Sequence, residues 1–371
     1  MLAGMKADRL KIGIAGAGLL GRLLAWRLGR LGHEVAVFDA AADAAPRFGA
    51  RQAAAFSAAG MLSPLAEFEN AGRSVSALGV RSLAMWPSIA SQLTRAPFLA
   101  RHGSLLAAHG GDLGTALRML SRLKSAPAPL RPPELLDHDQ LGRLEPAVHG
   151  VAHAWLLPDE GQLDPLQMLA ALQADACAAG VRWHWNRPVA DALPHAMHCA
   201  DGMSERFDLV FDVRGVGAKT PAPDSLQVRG VRGETVWLHA AGHGLLRPVR
   251  LLHPRHRVYL VPRPGDIVVV GATEIESEDR SPVSLRSAVE LMAAAHSVMP
   301  ALAEARILRM DSNLRPALPD NEPRIDAEPG RVRINGLFRH GWLVAPAMVQ
   351  DALESCGLVN KAHPEFAEAL A

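Results

Sequence analysis

Hydrophobic and polar positions change their period twice within the first forty residues. Residues 11–15 form a short, largely apolar segment of the kind that makes a buried strand. Leucines then recur at helical spacing between residues 20 and 31, and Gly32 ends the predicted helix. A second apolar run, 35–38, has Asp39 at its end. The pattern predicts a strand, a helix and a second strand in succession.

Three glycines, Gly16, Gly18 and Gly21, join the first predicted strand to the helix. Gly16 suits a tight turn, and Gly18 lets a pyrophosphate approach the backbone at the helix N-terminus. Gly21 lets the helix pack on the strand. Asp39 can accept hydrogen bonds from a ribose hydroxyl, and its carboxylate disfavours the phosphate of NADP. The segment predicts a dinucleotide site, with a Gly-rich turn that binds nothing as the alternative.

A second run of small residues follows within the segment from Phe56 to Pro64. Backbone amides at Ala58, Ala59, Gly60 and Met61 could approach a second phosphate or a flavin ring, which favours FAD over NAD. The alternative interpretation is a packed loop with small side chains.

Later segments carry helix and hairpin signals. Asp164 is a good N-cap, Pro165 suits the first helical position, and Gly180 ends the helical pattern. Residues 181–185 then predict a strand. Two β-rich runs joined by Pro-Gly-Asp predict a hairpin over 257–274.

Composition bounds the class of protein. The 371 residues suit two domains, or one with a large insertion, and 49% hydrophobic with 21% charged residues is typical of a globular chain. A formal net charge of +1 gives no electrostatic case for a nucleic-acid partner. No segment approaches the about 18 apolar residues of a membrane span, and no signal peptide is expected. The sequence leaves assembly into an oligomer open.

The cysteines indicate a reducing compartment. Cys177, Cys199 and Cys356 are scattered and form no CxxC pair, which favours the cytoplasm. His195 and His198 beside Cys199 superficially resemble metal ligands, but a complete ligand set is lacking. We therefore expect a loop there and no metal site.

Six motifs occur in order between about residue 11 and residue 354. They are "GIAGAGLLG" with Asp39, "SAAGML", "VRGE" at 231–234, "VYLVPRPGDIVVVGAT" at 258–273, "LRPALPD" at 314–320 and "GLFRHGWLVAPA" at 336–347. Through these motifs the chain resembles the D-amino acid oxidase family of FAD-dependent amine oxidoreductases, and within it most closely the glycine oxidase branch that serves bacterial thiazole synthesis.

The resemblance implies an α/β fold, α+β overall, in which a Rossmann-like FAD domain is interleaved with an antiparallel-sheet substrate domain. The FAD domain is expected to comprise residues 1–80, 150–225 and 315–371. Residues 81–149 and 226–314 are expected to form the substrate domain.

The resemblance also implies roles for two arginines that interrupt apolar runs. Arg315 is expected to hold a substrate carboxylate through two parallel hydrogen bonds, with Tyr259 adding a hydroxyl donor. Arg339 matches a second arginine position near the flavin and the substrate entrance. The alternative for Arg315 is a salt bridge to Asp311 or Asp320, and for Arg339 a salt bridge or a hydrogen-bonded wall residue.

The implied cofactor is non-covalent FAD, because no cysteine lies in a matching attachment motif. A C-terminal helix is predicted to begin near Ala345 or Pro346 and to point its positive N-terminus at the flavin N1–C2 carbonyl edge. The expected cofactor contacts are Gly16, Gly18, Leu19, Leu20, Gly21, Asp39, Ala58, Ala59, Gly60, Met61, Val189, Gly215, Gly217, Arg339, His340, Gly341, Trp342 and Leu343.

The implied reaction is oxidative deamination of a small amino acid or amine, with hydride transfer from the α-carbon to flavin N5. Positioning rather than a protein base does most of this work. Oxygen would reoxidise the flavin and give hydrogen peroxide. The alternatives are a dehydrogenase with another electron acceptor and an FAD-binding protein with a different substrate.

Two positions depart from the glycine oxidase pattern. Arg257 stands where a histidine is expected, and Glu274 where an apolar methionine is expected. We hypothesise that Glu274 favours a substrate with a second, cationic group or a larger amine. The alternative is an ion pair between Glu274 and Arg257 across the hairpin. The charged run 274–280 predicts an exposed loop, or else a lid over the site.

Overall fold

The computed structural model describes residues 9–49, 52–124, 130–220, 226–252 and 257–360. The helices are α1 Leu19–Arg30, α2 Ala54–Ser57, α3 Pro64–Ser91, α4 Leu113–Leu123, α5 His138–Leu144, α6 Pro165–Ala178, α7 Leu285–Val298 and α8 Gly341–Ser355. The strands are β1 Lys11–Ala15, β2 Glu34–Phe38, β3 Met61–Leu62, β4 Leu99–Ala100, β5 Ser104–Ala108, β6 Glu134–Leu136, β7 His153–Leu157, β8 Gly161–Leu163, β9 Arg182–His184, β10 Val189–Leu193, β11 Ala196–Cys199, β12 Ser204–Arg206, β13 Leu209–Asp212, β14 Arg229–His239, β15 Val249–Leu252, β16 Arg257–Arg263, β17 Ile267–Gly271, β18 Arg306–Ala317, β19 Arg324–Glu328 and β20 Arg331–Asn335.

The first large sheet has the strand order β19-β20-β13-β1-β2-β9. Its pairs from β20 to β9 are parallel, and β19 is an antiparallel edge strand. Strands β1 and β2 are buried and apolar because helices cover the sheet, and α1, α6 and α8 contribute to the same core. The parallel order brings the carboxyl ends of β1, β2 and β13 to one edge.

The second large sheet has the order β18-β14-β17-β16-β15-β5-β7-β6. Its pairs are antiparallel except for β15 with β5. Helix α7 packs on one face over a core of valines and leucines. Mixed parallel and antiparallel sheets with helices confirm the predicted fold class. The proposed division into FAD and substrate domains at the bounds given above stays a prediction.

Several local predictions are confirmed. Residues 11–15 and 34–38 are strands, Gly32 follows α1, and residues 257–271 form the hairpin β16–β17. Helix α6 begins at Pro165, and the side chain of Asp164 caps it by accepting from the amides of Leu166 (2.8 Å) and Gln167 (3.0 Å).

The predicted start of the C-terminal helix is wrong. Helix α8 begins at Gly341 and carries Pro346 inside it, one turn later than its start. Proline has no N–H, so the carbonyl of Trp342, four residues earlier, loses its helical donor. The indole Nε1 of buried Trp86 donates to that carbonyl instead (2.9 Å). A side chain distant in sequence therefore supplies the hydrogen bond that Pro346 removes. This bond offsets much of the energetic cost of a proline inside the helix, and that cost was the reason for predicting a helix start near Pro346.

The predicted loop around His195, His198 and Cys199 is also wrong. Residues 196–199 are strand β11 of a small antiparallel sheet with β10 and β12. Among the described residues no group of three or more histidine, cysteine or acidic side chains is placed to hold a metal ion. Likewise, no helix in the described ranges is both long and apolar enough to cross a membrane.

Candidate active site

A cavity of about 1420 Å³ is lined by residues from both large sheets. All the expected cofactor contacts except Gly21 line it. Leu19 and Leu20 line it at the start of α1, and Val189 and Gly217 line it beside β13. The structure therefore brings together residues from the beginning, middle and end of the chain.

The glycines after β1 shape one end of the cavity. Gly16 has φ +107°, and a Cβ there would lie 2.8 Å from the carbonyl oxygen of Val213. A Cβ at Gly21 would lie 1.9 Å from the carbonyl oxygen of Gly16, so Gly21 allows α1 to close on the turn. A Cβ at Gly18 would meet only the Cβ of Ala53, at the ordinary contact distance of 3.6 Å. The backbone at Gly18 is therefore open to a phosphate.

Asp39 lies at the end of β2 on the same wall. Its Oδ2 accepts from the amide of Ala17 (2.5 Å) and its Oδ1 from the amide of Ala41 (2.7 Å). These bonds fix the carboxylate beside the glycine turn and leave lone pairs on both oxygens for a ribose hydroxyl.

Arg22 is a residue of this wall that the sequence reasoning missed. Its side chain is buried, and it donates to the carbonyls of Ala17, Leu169 and Ala44, each at 3.0 Å. Burial lowers the pKa of Arg22 to about 10, and Asp39 opposes this shift. The guanidinium joins the glycine turn, helix α6 and the loop after β2.

The small-residue run 58–61 lines the middle of the cavity. Gly60 has φ +64°, and a Cβ there would lie 2.4 Å from the carbonyl oxygen of Leu163. Gly215, also with positive φ (+56°), lies opposite Pro316. At the other side α8 begins at Gly341, and its N-terminal residues Trp342 and Leu343 line the cavity. A helix N-terminus there favours negative charge.

Arg315 lies on β18 and faces the cavity without a carboxylate partner among the described residues. Its Nη1 donates to the carbonyls of Thr273 (3.0 Å) and Arg232 (3.4 Å), and its Nε and Nη2 make no hydrogen bond to any described residue. Among the described residues neither Asp320, which pairs with Arg324 (3.1 Å), nor buried Asp311 forms a salt bridge with Arg315.

Tyr259 on β16 lines the same part of the cavity. Desolvation raises the pKa of its phenol, and the nearby guanidinium of Arg315 opposes that shift. The hydroxyl therefore stays protonated at neutral pH and can donate. Within the described residues it makes no hydrogen bond.

Arg339 is held by two carboxylates, as its alternative interpretation allowed. Its Nε lies 3.1 Å from Glu67 Oε2, and its Nη1 lies 2.9 Å from Glu274 Oε2. Glu67 also pairs with Arg250 (2.9 Å) and lies 3.3 Å from His340 Nδ1. Burial alone would raise the pKa of Glu67, but Arg339 and Arg250 outweigh it and hold that pKa well below 4.5.

Glu67 and Arg250 are the other residues that sequence reasoning missed. Arg250 lies in the apolar strand β15, so it carries the same signal that drew attention to Arg315 and Arg339, namely an arginine within an apolar run. Glu67 lies in the first turn of α3 and has no comparable signal, because its partner Arg339 is 272 residues away.

Glu274 faces the cavity and pairs with Arg339. The side chain of Arg257 lies outside the described residues, so the Glu274–Arg257 pair is not described. The loop after β17 is fastened by buried Arg232, which donates to the carbonyls of Asp279, Ser281 and Pro282 at 2.7–2.8 Å. This fastening favours the exposed loop over the lid.

Comparisons of the sequence and of the structure with known proteins agree on one family. The sequence profile of the family described as FAD dependent oxidoreductase (DAO) matches residues 11–352. A proposed thiamine biosynthesis oxidoreductase, ThiO, of Rhizobium etli is 36% identical over 96% of this chain and 99% of its own. A glycine oxidase of Geobacillus kaustophilus is 25% identical over 93% of each chain. The crystal structure of glycine oxidase from that organism has a TM-score of 0.80, 24% identity and 96% coverage of both chains.

Proposed function

We propose that this chain, which belongs to the family of FAD-dependent oxidoreductases, oxidises the amine of a small amino acid whose carboxylate Arg315 binds. Membership of the family confirms the resemblance and the expected cofactor. Glycine, sarcosine and small D-amino acids are the substrates we expect. Relatives that bear the name glycine oxidase support this substrate class.

The observation that carries the proposal is the free guanidinium edge of Arg315. Arginines withdrawn from solvent are ordinarily paired, yet partly buried Arg315 has no carboxylate among the described residues and two unbonded donor nitrogens beside the cavity. A carboxylate bound there would form the two parallel, charge-assisted hydrogen bonds that guanidinium geometry favours. Tyr259, protonated at neutral pH, would donate a further hydrogen bond to the same group.

The residues around the glycine turn would hold the cofactor. Gly16 and Gly18 give access to backbone amides for the pyrophosphate, Asp39 offers acceptors for a ribose, and the N-terminus of α8 at Gly341 would stabilise negative charge on the flavin. When bound, the flavin supplies the acceptor for the hydride of the substrate α-carbon. The protein's part is to fix the substrate carboxylate so that the α C–H bond has one orientation.

We further propose oxygen as the final electron acceptor, with hydrogen peroxide as product, and a cytoplasmic location. The free cysteines Cys177, Cys199 and Cys356 support a reducing compartment. A dehydrogenase that passes electrons to another acceptor is the alternative for the second half of the reaction.

The test is anaerobic bleaching of the flavin in the purified holoenzyme by glycine, sarcosine, D-alanine, D-proline, basic D-amino acids and simple amines. Bleaching by amino acids, but not by the corresponding amines without a carboxylate, is the expected result. Readmission of oxygen then separates oxidase from dehydrogenase, because only an oxidase regains its colour rapidly and releases peroxide. Absence of bleaching by every compound would contradict the proposal.

A further inference from the structure

A group of five charged residues that lines the cavity beside Tyr259 carries one positive charge in excess, while buried Arg263, which also acts on Tyr259, does not line the cavity. Three arginines, Arg250, Arg315 and Arg339, face two carboxylates, Glu67 and Glu274, and the pairs involve Arg250 and Arg339 only. Arg315 carries the remaining charge. The carboxylate of one monocarboxylate substrate therefore neutralises this group of five charged residues, which we term the charged cluster.

We infer that Glu274 is a specificity determinant that neutralises Arg339 and so excludes substrates with a second carboxylate. This inference deepens the proposed function and rests on it. Oε2 of Glu274 accepts from Nη1 of Arg339 (2.9 Å), on the part of the cavity wall that Arg315 and Tyr259 also line. A second carboxylate that reached Arg339 would have to break this ion pair and would face the carboxylate of Glu274.

An apolar residue at position 274 would change the balance of charge. Arg339 would then share Glu67 with Arg250, and the charged cluster would hold two unmatched positive charges. The Nη1 donor of Arg339 would be available to a ligand. A dicarboxylate could then bind with one carboxylate at Arg315 and the other at Arg339.

The backbone on both sides of Glu274 is anchored, which gives its side chain a defined origin. Thr273 donates from Oγ1 to Glu234 (3.0 Å), and its carbonyl accepts from Arg315 (3.0 Å). Ile275 exchanges two backbone hydrogen bonds of 2.9 Å with Arg232. The backbone of Glu274 is therefore held to β14 on both sides, and Arg339 holds its carboxylate.

Two ligands that differ by one carboxylate test the inference without turnover. Methoxyacetate and diglycolate contain an ether oxygen in place of an amine, so they cannot be oxidised as amines. Their dissociation constants are measured on holoenzyme from the perturbation of the flavin absorption spectrum. The variants are Glu274→Gln, Glu274→Met, and Glu274→Gln combined with Arg339→Met. Glu276→Gln is the matched control, since Glu276 pairs with Arg229 (3.0 Å) and neither residue lines the cavity.

The wild-type protein is expected to bind methoxyacetate more tightly than diglycolate. Glu274→Gln and Glu274→Met should tighten diglycolate binding by about tenfold or more while changing methoxyacetate binding by less than about threefold. The double variant should lose the gain, and Glu276→Gln should resemble wild type. If methoxyacetate binds and the ratio is the same in Glu274→Gln, the inference is overturned and the proposed function stands. If methoxyacetate fails to bind the wild-type holoenzyme, both fail.

Discussion

The guanidinium of Arg315 fills the space that a side chain at Gly233 would need. A Cβ at Gly233 would lie 2.4 Å from the guanidinium carbon and from both of its terminal nitrogens. Tyr259 has the same relationship to Gly271, where a Cβ would lie 2.6 Å from the phenolic oxygen. The two side chains proposed to bind the substrate carboxylate thus each pack against a glycine of the second large sheet.

Replacement of Gly233 by alanine should displace Arg315 and weaken carboxylate binding. We expect the dissociation constant of methoxyacetate to rise by at least about tenfold, or about 1.4 kcal/mol. Global stability should change little, because the end of a flexible side chain can move aside. The control is Gly230→Ala on the opposite face of β14, where the Cβ would meet Leu314 at 2.9 Å. Equal losses in both variants would contradict this packing relationship.

Replacement of Arg22 by methionine should weaken FAD binding. The variant removes the donor that joins the carbonyls of Ala17, Ala44 and Leu169, and each charge-assisted bond contributes about 1.5–3 kcal/mol. We expect the dissociation constant of FAD, measured by flavin fluorescence as apoprotein is titrated, to rise at least about tenfold. Arg30→Met is the control, because exposed Arg30 on the same helix donates to the side chain of Gln92, away from the cavity. Unchanged FAD affinity in Arg22→Met would show that the glycine turn does not depend on it.

The depressed pKa of Glu67 predicts a loss of stability in acid. A carboxylate whose pKa is lower in the folded protein stabilises it above the unfolded pKa near 4.5, and this contribution declines as pH falls through the folded value. The difference in melting temperature between wild type and Glu67→Gln should therefore be constant above about pH 6 and shrink below pH 4.5. A difference in melting temperature that grew as the pH fell would contradict this prediction.

The hydrogen bond from the indole of Trp86 to the carbonyl of Trp342 predicts an effect on stability. Trp86→Phe removes the donor that Pro346 makes necessary and leaves a buried carbonyl unpaired. The free energy of unfolding should fall by about 2 kcal/mol or more, since an unpaired buried acceptor alone costs about 1–3 kcal/mol. The double variant Trp86→Phe with Pro346→Ala should regain part of the loss, because alanine restores a backbone N–H that can donate to the carbonyl of Trp342. Additive losses in denaturant titrations would count against this coupling.

The sequence was sufficient for features set by local chemistry. The glycine turn after β1, the Asp164 cap and the β16–β17 hairpin depend on residues close together in the chain, and each was predicted. Arg315 and Arg339 were found because a charge in an apolar run needs a partner. The resemblance to the family then implied a role for each of the two arginines.

Features set by distant contacts could not be predicted in this way. Glu67 contacts Arg339 only in the folded chain. This ion pair neutralises the positive charge of Arg339, whereas Arg315 has no carboxylate partner among the described residues. The early start of α8 depends on Trp86, which lies 256 residues from Trp342. Local propensity fails at both points because a tertiary hydrogen bond or ion pair outweighs it.

The most direct measurement compares flavin reduction in wild type and Arg315→Met with two matched compounds. These are sarcosine, or whichever amino acid reduces the flavin fastest, and the same amine without its carboxylate. The apparent second-order rate constant for the amino acid should fall by about 100-fold or more, a loss of about 2.7 kcal/mol of transition-state stabilisation. The rate constant for the amine should be small in both proteins and unchanged. Equal effects on both compounds, or no effect on the amino acid, would contradict the binding of the substrate carboxylate by Arg315.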